Sequence, residues 1–158
     1  MKTRLFIRSV FIIALAFTPF AQATGWGVGT DIIRFVDQNQ DDDGLFNLFV
    51  QAPAGYSGAL VLGYASSDDL DILDVGYKHY MSGRFNGTYF QAGVGYYDND
   101  RVNDDDLGFV GKVGYEHRLA RNFAVTGAVR MVAGVDEDVI GYRETPVYQP
   151  MLGVLVTF

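Results

Sequence analysis

Few side chains in this chain are equipped for chemistry. Its two histidines, His79 and His117, are the only imidazoles that could serve as general bases. The nearest serine to either is Ser82, and no His-x-Ser pair accompanies them, so the sequence presents no base–nucleophile couple. Without cysteine, thiol catalysis, disulfides and thiolate zinc sites are excluded. Two carboxylate runs, Asp41-Asp42-Asp43 and Asp104-Asp105-Asp106, carry the oxygen ligands that hard cations take. Asp37, Asn39 and Asp41 open like a calcium loop. The pattern then fails, with Asp42 in place of the sharp-turn glycine and Leu48 in place of the bidentate acid. These runs read as solvated acidic loops, able at most to attract divalent ions loosely. Gly25-x-Gly27-x-Gly29 and Gly93-x-Gly95 are not phosphate loops, because no strand–loop–helix unit surrounds them. No catalytic, cofactor or metal site is therefore expected.

The chain has 158 residues, enough for one compact domain, and a formal charge of −7. That balance disfavours a nucleic-acid binder, which needs a basic face to displace phosphate counterions. Lys2, Arg4 and Arg8 precede an apolar run from Val10 to Phe17, then Pro19 and Ala21-Gln22-Ala23. This is the order of a secretory signal, and the run is too short to span a bilayer. Residues 1–23 are thus expected to be removed and 24–158 to form the mature domain. The signal holds three bases and no acid, so the mature charge is −10.

Beyond the signal, the apolar pattern has period 2 rather than 3.6. It predicts eight strands, at about 25–35, 45–52, 59–66, 72–81, 87–97, 107–119, 122–135 and 147–158. In 107–119, Leu107, Phe109, Val113, Tyr115, His117 and Leu119 oppose Gly108, Val110, Lys112, Gly114, Glu116 and Arg118. In 72–81, Leu73, Val75, Tyr77 and Met81 oppose Asp74, Gly76, Lys78 and Tyr80. In 122–135, Phe123, Val125, Val129, Met131 and Val135 oppose Thr126, Ala128 and Arg130. In the last strand, Leu152, Val154, Val156 and Phe158 oppose Gly153 and Thr157.

One face is bulky and apolar; the other mixes glycine, alanine and charge. A water-soluble barrel needs the reverse, because a core of glycine and charges packs poorly and strands unpaired ions. A membrane barrel resolves this by giving the bulky face to lipid and the narrow lumen to small residues and ion pairs. Closure also satisfies every backbone group. The fold class is therefore an all-β, eight-stranded antiparallel transmembrane barrel with meander order. Parity places Asp31, Asp74, Lys78, Lys112, Glu116, Arg118 and Arg130 inside, as an ion-pair network that plugs the lumen. Lys112, Glu116 and Arg130 lie on neighbouring strands and are the expected cluster. His79 and His117 fall on the lipid face near one rim. Trp26, Tyr56, Phe85, Tyr89, Phe90, Tyr96, Tyr97, Phe109, Tyr115, Tyr142, Tyr148 and Phe158 lie near strand ends and are expected as interfacial aromatic girdles.

The connections divide by charge. The odd ones, 36–44, 66–71, 98–106 and 134–146, hold 16 of the 19 acids, with Arg101 and Arg143. The even ones, 53–58, 82–87 and 119–122, hold no acid, with Arg84 and Arg121. Long loops at one rim and shorter turns at the other are the outer-membrane arrangement.

With these features, and with the ending Leu152-Gly153-Val154-Leu155-Val156-Thr157-Phe158, the chain resembles the small eight-stranded Gram-negative outer-membrane barrels of OmpA/OmpX type. The resemblance covers the mature chain. It implies that Val154, Val156 and Phe158 form a signal read by the barrel-insertion machinery. It implies a monomer among outer-membrane lipid and lipopolysaccharide, loops outside and both termini periplasmic. This architecture serves several functions, so a structural or surface-interaction role is expected first. A lipid A deacylase-like enzyme, a narrow ion channel and a soluble periplasmic ligand-binding barrel are the competing readings.

Overall fold

A computed structural model of the chain describes residues 25–35, 45–141 and 146–158. The 1–23 signal, the acids of 36–44 including Asp41-Asp42-Asp43, and Tyr142, Arg143 and Glu144 lie outside the described residues.

The strands are β1 (Gly27–Asp31), β2 (Phe46–Pro53), β3 (Gly58–Ser66), β4 (Leu70–Tyr80), β5 (Gly87–Asn99), β6 (Asp104–Ala120), β7 (Phe123–Ala133) and β8 (Val147–Thr157). Each pairs antiparallel with the next, and β8 returns to β1, closing a barrel in meander order. The two chain ends meet at one rim, where the Gly25 N–H donates to the Phe158 carbonyl (2.7 Å) and the Phe158 N–H to Trp26 (2.9 Å). That rim also carries the β2–β3, β4–β5 and β6–β7 turns.

All eight expected strands form, with shifted ends. β1 stops at Asp31 instead of running to 35. There Asp31 Oδ1 accepts the N–H groups of Ile33 and Leu152, both at 3.1 Å, and the chain turns into a 3-10 segment, Ile33–Phe35. A carboxylate bonding its own backbone two residues on is a turn-maker. β5 and β6 run longer than expected, so Asp98 and Asp104–Asp106 sit on the ladder and only 100–103 connects them. The 134–146 connection contains one helical turn, α1 (Glu137–Ile140). Asp136 caps it by accepting the Asp138 N–H, and Gly141 ends it in the left-handed conformation.

Parity decides what each face holds. Leu60, Val75, Phe90, Val94, Phe109, Val113, Tyr115, Val129 and Leu152 point outward and are all at least 48% exposed. Each half-exposed side chain of this size leaves roughly 1 kcal/mol of hydrophobic burial unrealised in water, and a continuous belt of them far exceeds what soluble monomers show. Among the described residues no helix is long and apolar enough to cross a membrane.

The charged lumen as candidate functional site

Interior positions on β4 bring Asp74, Lys78 and Tyr80 to the lumen; β6 brings Lys112 and Glu116, and β7 brings Arg130. Glycine makes room for them. A Cβ on Gly93 would lie 2.1 Å from the Val75 carbonyl oxygen, and backbone cannot yield as a side-chain tip can. A Cβ on Gly95 would lie 2.7 Å from Asp74 Oδ1, so this glycine clears space for a luminal charge.

Two polar layers result. In the first, Lys78 pairs with Glu116, both almost fully buried. Tyr80 Oη donates to the same Glu116 carboxylate (3.0 Å), and Gln51 Nε2 reaches its other oxygen (3.4 Å). Lys78 Nζ also donates to Gln51 Oε1 at 3.3 Å and lies 3.8 Å from the Tyr89 ring centroid, a cation–π contact. Tyr89 Oη in turn shares a hydrogen bond with Thr126 Oγ1 (3.0 Å). In the second layer, Arg130 Nη2 donates to both Asp74 oxygens (2.8 and 2.9 Å) and to Tyr97 Oη (3.0 Å), while Nη1 donates to Gln149 (3.0 Å). An ion pair removed from water is tolerable when further hydrogen bonds serve its remaining polar atoms; both layers provide such bonds, with Arg130 Nε left as a buried donor without a partner.

The pairing differs from the expected cluster of Lys112, Glu116 and Arg130. Glu116 and Arg130 instead take partners on β4. Lys112 stands beside Arg130 on the β6–β7 ladder, so like charges adjoin there. Asp31 is buried on β1, held by Ile33 and Leu152 and near Asn47. Arg118 is not enclosed. The ladder slips between Arg118 and Ala120, the side chain is exposed, and its guanidinium lies 5.4 Å from the Phe85 ring. The ladder is still in register at Arg118, opposite the buried Ala124, so the side chain keeps the inner parity and is exposed because it lies over Phe85 at the open, turn-bearing end.

Three of the expected girdle aromatics also turn inward. Tyr89 and Tyr97 serve the two polar layers, and Phe85 is buried with Ala124 and Leu155 at the turn-bearing end. Phe85 holds a positive φ of 63°, a strained conformation for so bulky a residue. Val135, expected on the lipid face, is buried too. It lies past the end of β7, over Gly108, and joins Val139 and Ile140 of α1 against Leu45, Ile72 and Tyr97. Apolar clusters thus lie at both ends of the polar lumen.

Gln51, Tyr80, Tyr89, Tyr97 and Gln149 were not among the expected site residues. Strand parity was a usable signal for Tyr80, which shares a face with Asp74 and Lys78, for Tyr89 and Tyr97, which share one with Gly93 and Gly95, and for Gln149, which shares one with Gly153, while β2 carries no charge to mark the face of Gln51; nearness to strand ends pointed the aromatics elsewhere. His79 and His117 are exposed on the outer face, where His117 stacks on Tyr115 at a centroid distance of 6.5 Å. No group of three or more His, Cys, Asp or Glu residues placed to hold a metal occurs among the described residues.

A closed eight-stranded meander, bulky and apolar outside and small or charged inside, has the fold of the small outer-membrane barrels of OmpA/OmpX type. Among solved structures, the chain is similar to the N-terminal β-barrel domain of Pseudomonas aeruginosa OprF. The TM-score is 0.63 at 14% identity, covering 87% of this chain and 100% of that one. No protein-family model matches the sequence, and no curated protein matches it.

Proposed function

We propose that this chain is an integral outer-membrane protein whose filled lumen makes it a structural or surface-interaction element rather than a pore or an enzyme. The observation that carries this reading is the double polar layer. Lys78–Glu116 joins β4 to β6 and Arg130–Asp74 joins β4 to β7 across the lumen, and each pair is held by neutral hydrogen-bond partners. Eight strands enclose little beyond their own side chains. Phe85 at one end, and Val135, Val139 and Ile140 at the other, support the same reading.

In this proposal the acidic rim faces outward from the cell and both termini face the periplasm. Asp68, Asp100, Asp104, Asp105, Asp136, Glu137 and Asp138 are exposed at that rim. Lipid and lipopolysaccharide surround the belt, and the 1–23 segment directs export. Val154, Val156 and Phe158 serve assembly by the insertion machinery. The protein acts as a monomer without cofactor. An acyl-chain enzyme would need a base within hydrogen-bond reach of a nucleophile. His79 and His117 on the lipid face give no such couple. Lipid A from cells with and without the protein should have identical acyl composition by mass spectrometry; a gained or lost chain would establish the enzyme reading.

The membrane assignment is tested by fractionation. The protein should sediment with outer membranes, resist carbonate and migrate differently on gels with and without heating. Release by salt or carbonate alone would favour a soluble periplasmic barrel.

A further inference from the structure

The loop-bearing end of the lumen is an apolar cup. Leu45, Leu70, Ile72, Val132 and Val147 line it. Ile72 lies two residues nearer that end than Asp74, and Val132 two nearer than Arg130, so the cup sits over the Arg130–Asp74 layer. A separate segment fills it. Val135, Val139 and Ile140 enter the cup, each at most 5% exposed. They belong to residues 134–141, and both ends of that stretch are glycines in the left-handed region, Gly134 (φ 78°) and Gly141 (φ 71°). Asn99 Nδ2 donates to the Val139 carbonyl (2.8 Å), and the Asp136 N–H donates to Asp106 Oδ2 (2.7 Å), tying the segment to β5 and β6.

Charge works against this docking. Asp136, Glu137 and Asp138 are exposed on the segment. Asp104 and Asp106 share the face of β6 toward which it packs, and the base at the hairpin tip, Arg101, pairs with Asp69. Over the connections at this rim the sequence sets 16 acids against Arg101 and Arg143. Residues 36–44 and 142–145 contribute five of those acids and only Arg143, so they do not reverse the sign. Apolar burial therefore holds the segment down while like charges push it away. The reach of that push depends on salt, falling from about 30 Å at 0.01 M to about 3 Å at 1 M.

We propose that residues 134–141 form a charge-sprung lid: salt holds it in the apolar cup, and dilution of salt lifts it, opening Tyr97 and the Arg130–Asp74 layer to water. Glycine takes either sign of φ without a Cβ clash, so Gly134 and Gly141 absorb the movement. The inference is independent of the filled-lumen reading, because both polar layers stay in place in either position of the lid.

Ile140→Cys reports the lid position, since the chain has no cysteine and Ile140 is 5% exposed. Its rate of reaction with N-ethylmaleimide, an uncharged reagent, is measured on protein folded in non-ionic detergent and divided by that of Val102→Cys, 44% exposed at the same rim. The ratio should be about tenfold higher at about 10 mM than at about 500 mM NaCl, because several repulsive pairs are screened together. Glu137→Gln with Asp138→Asn should cut that difference to about twofold. A ratio that ignores salt or rises with it would overturn the proposal, as would a full salt response in the doubly neutralised variant. Should Ile140→Cys fail to give the heat-dependent gel shift, hydrogen exchange at the Ile140 and Gly141 amides of the unaltered protein decides. Exchange faster at low salt, with the strand amides unchanged, supports the lid; exchange indifferent to salt rejects it.

Discussion

At the scale of single residues, Glu116 holds the lumen together. It receives the Lys78 ammonium, the Tyr80 hydroxyl and the Gln51 amide, and is itself almost fully buried. Glu116→Ala leaves Lys78 charged and unpaired, so unfolding in lipid should register a loss of about 3–5 kcal/mol. Replacing both partners, Lys78→Met with Glu116→Leu, should recover part of that loss, since no unpaired charge remains while the buried Gln51 amide loses its acceptor. Tyr80→Phe removes one hydrogen bond to a charged acceptor and should cost about 1.5–3 kcal/mol in the same assay. Much of this layer was legible in the sequence. Alternation alone put Asp74, Lys78, Glu116 and Arg130 on the inner face. The partners were not legible, because sequence shows neighbours along a ladder and both pairs cross the lumen from β4 to strands it does not touch. Arg118 keeps the inner parity, opposite Ala124, but lies at the open turn-bearing rim, where parity does not report enclosure.

Among the elements, period 2 gave the strand count because a wall between lipid and lumen leaves no other pattern. The ends were less legible. Acidic residues read as loop, yet Asp98 and Asp104–Asp106 continue the β5–β6 ladder, whose backbone pairing overrides their weak strand preference. The glycines divide by direction. Gly93→Val drives a side chain into the Val75 carbonyl and the Gly76 backbone, and should prevent closure, seen as loss of the heat-dependent gel shift. Gly127 faces open space outside, so Gly127→Ala should fold normally and keep that shift. α1 is an anchored element: the Asn99 amide donates to the Val139 carbonyl (2.8 Å), and Val139 is fully buried. Val139→Asp should detach it and lower the unfolding free energy by about 2–4 kcal/mol through the buried, unpaired carboxylate, while both polar layers persist.

For the whole molecule, the charge imbalance becomes a direction. The turn rim has Arg84 and Arg121 and no acid; the opposite rim carries the carboxylates. The absence of native cysteine makes this testable by single substitutions. Val102→Cys, exposed between β5 and β6, should react with a membrane-impermeant maleimide on intact cells. Tyr56→Cys, 93% exposed between β2 and β3, should react only after the envelope is opened. The reverse pattern would invert the orientation.

A lumen crossed by two locked ion pairs should be filled. Current recorded across a planar bilayer into which the protein has inserted, with insertion verified by its heat-dependent gel shift, tests it most directly. A filled lumen should give a bilayer without steady openings at any holding voltage; reproducible openings of defined conductance would show an open path instead.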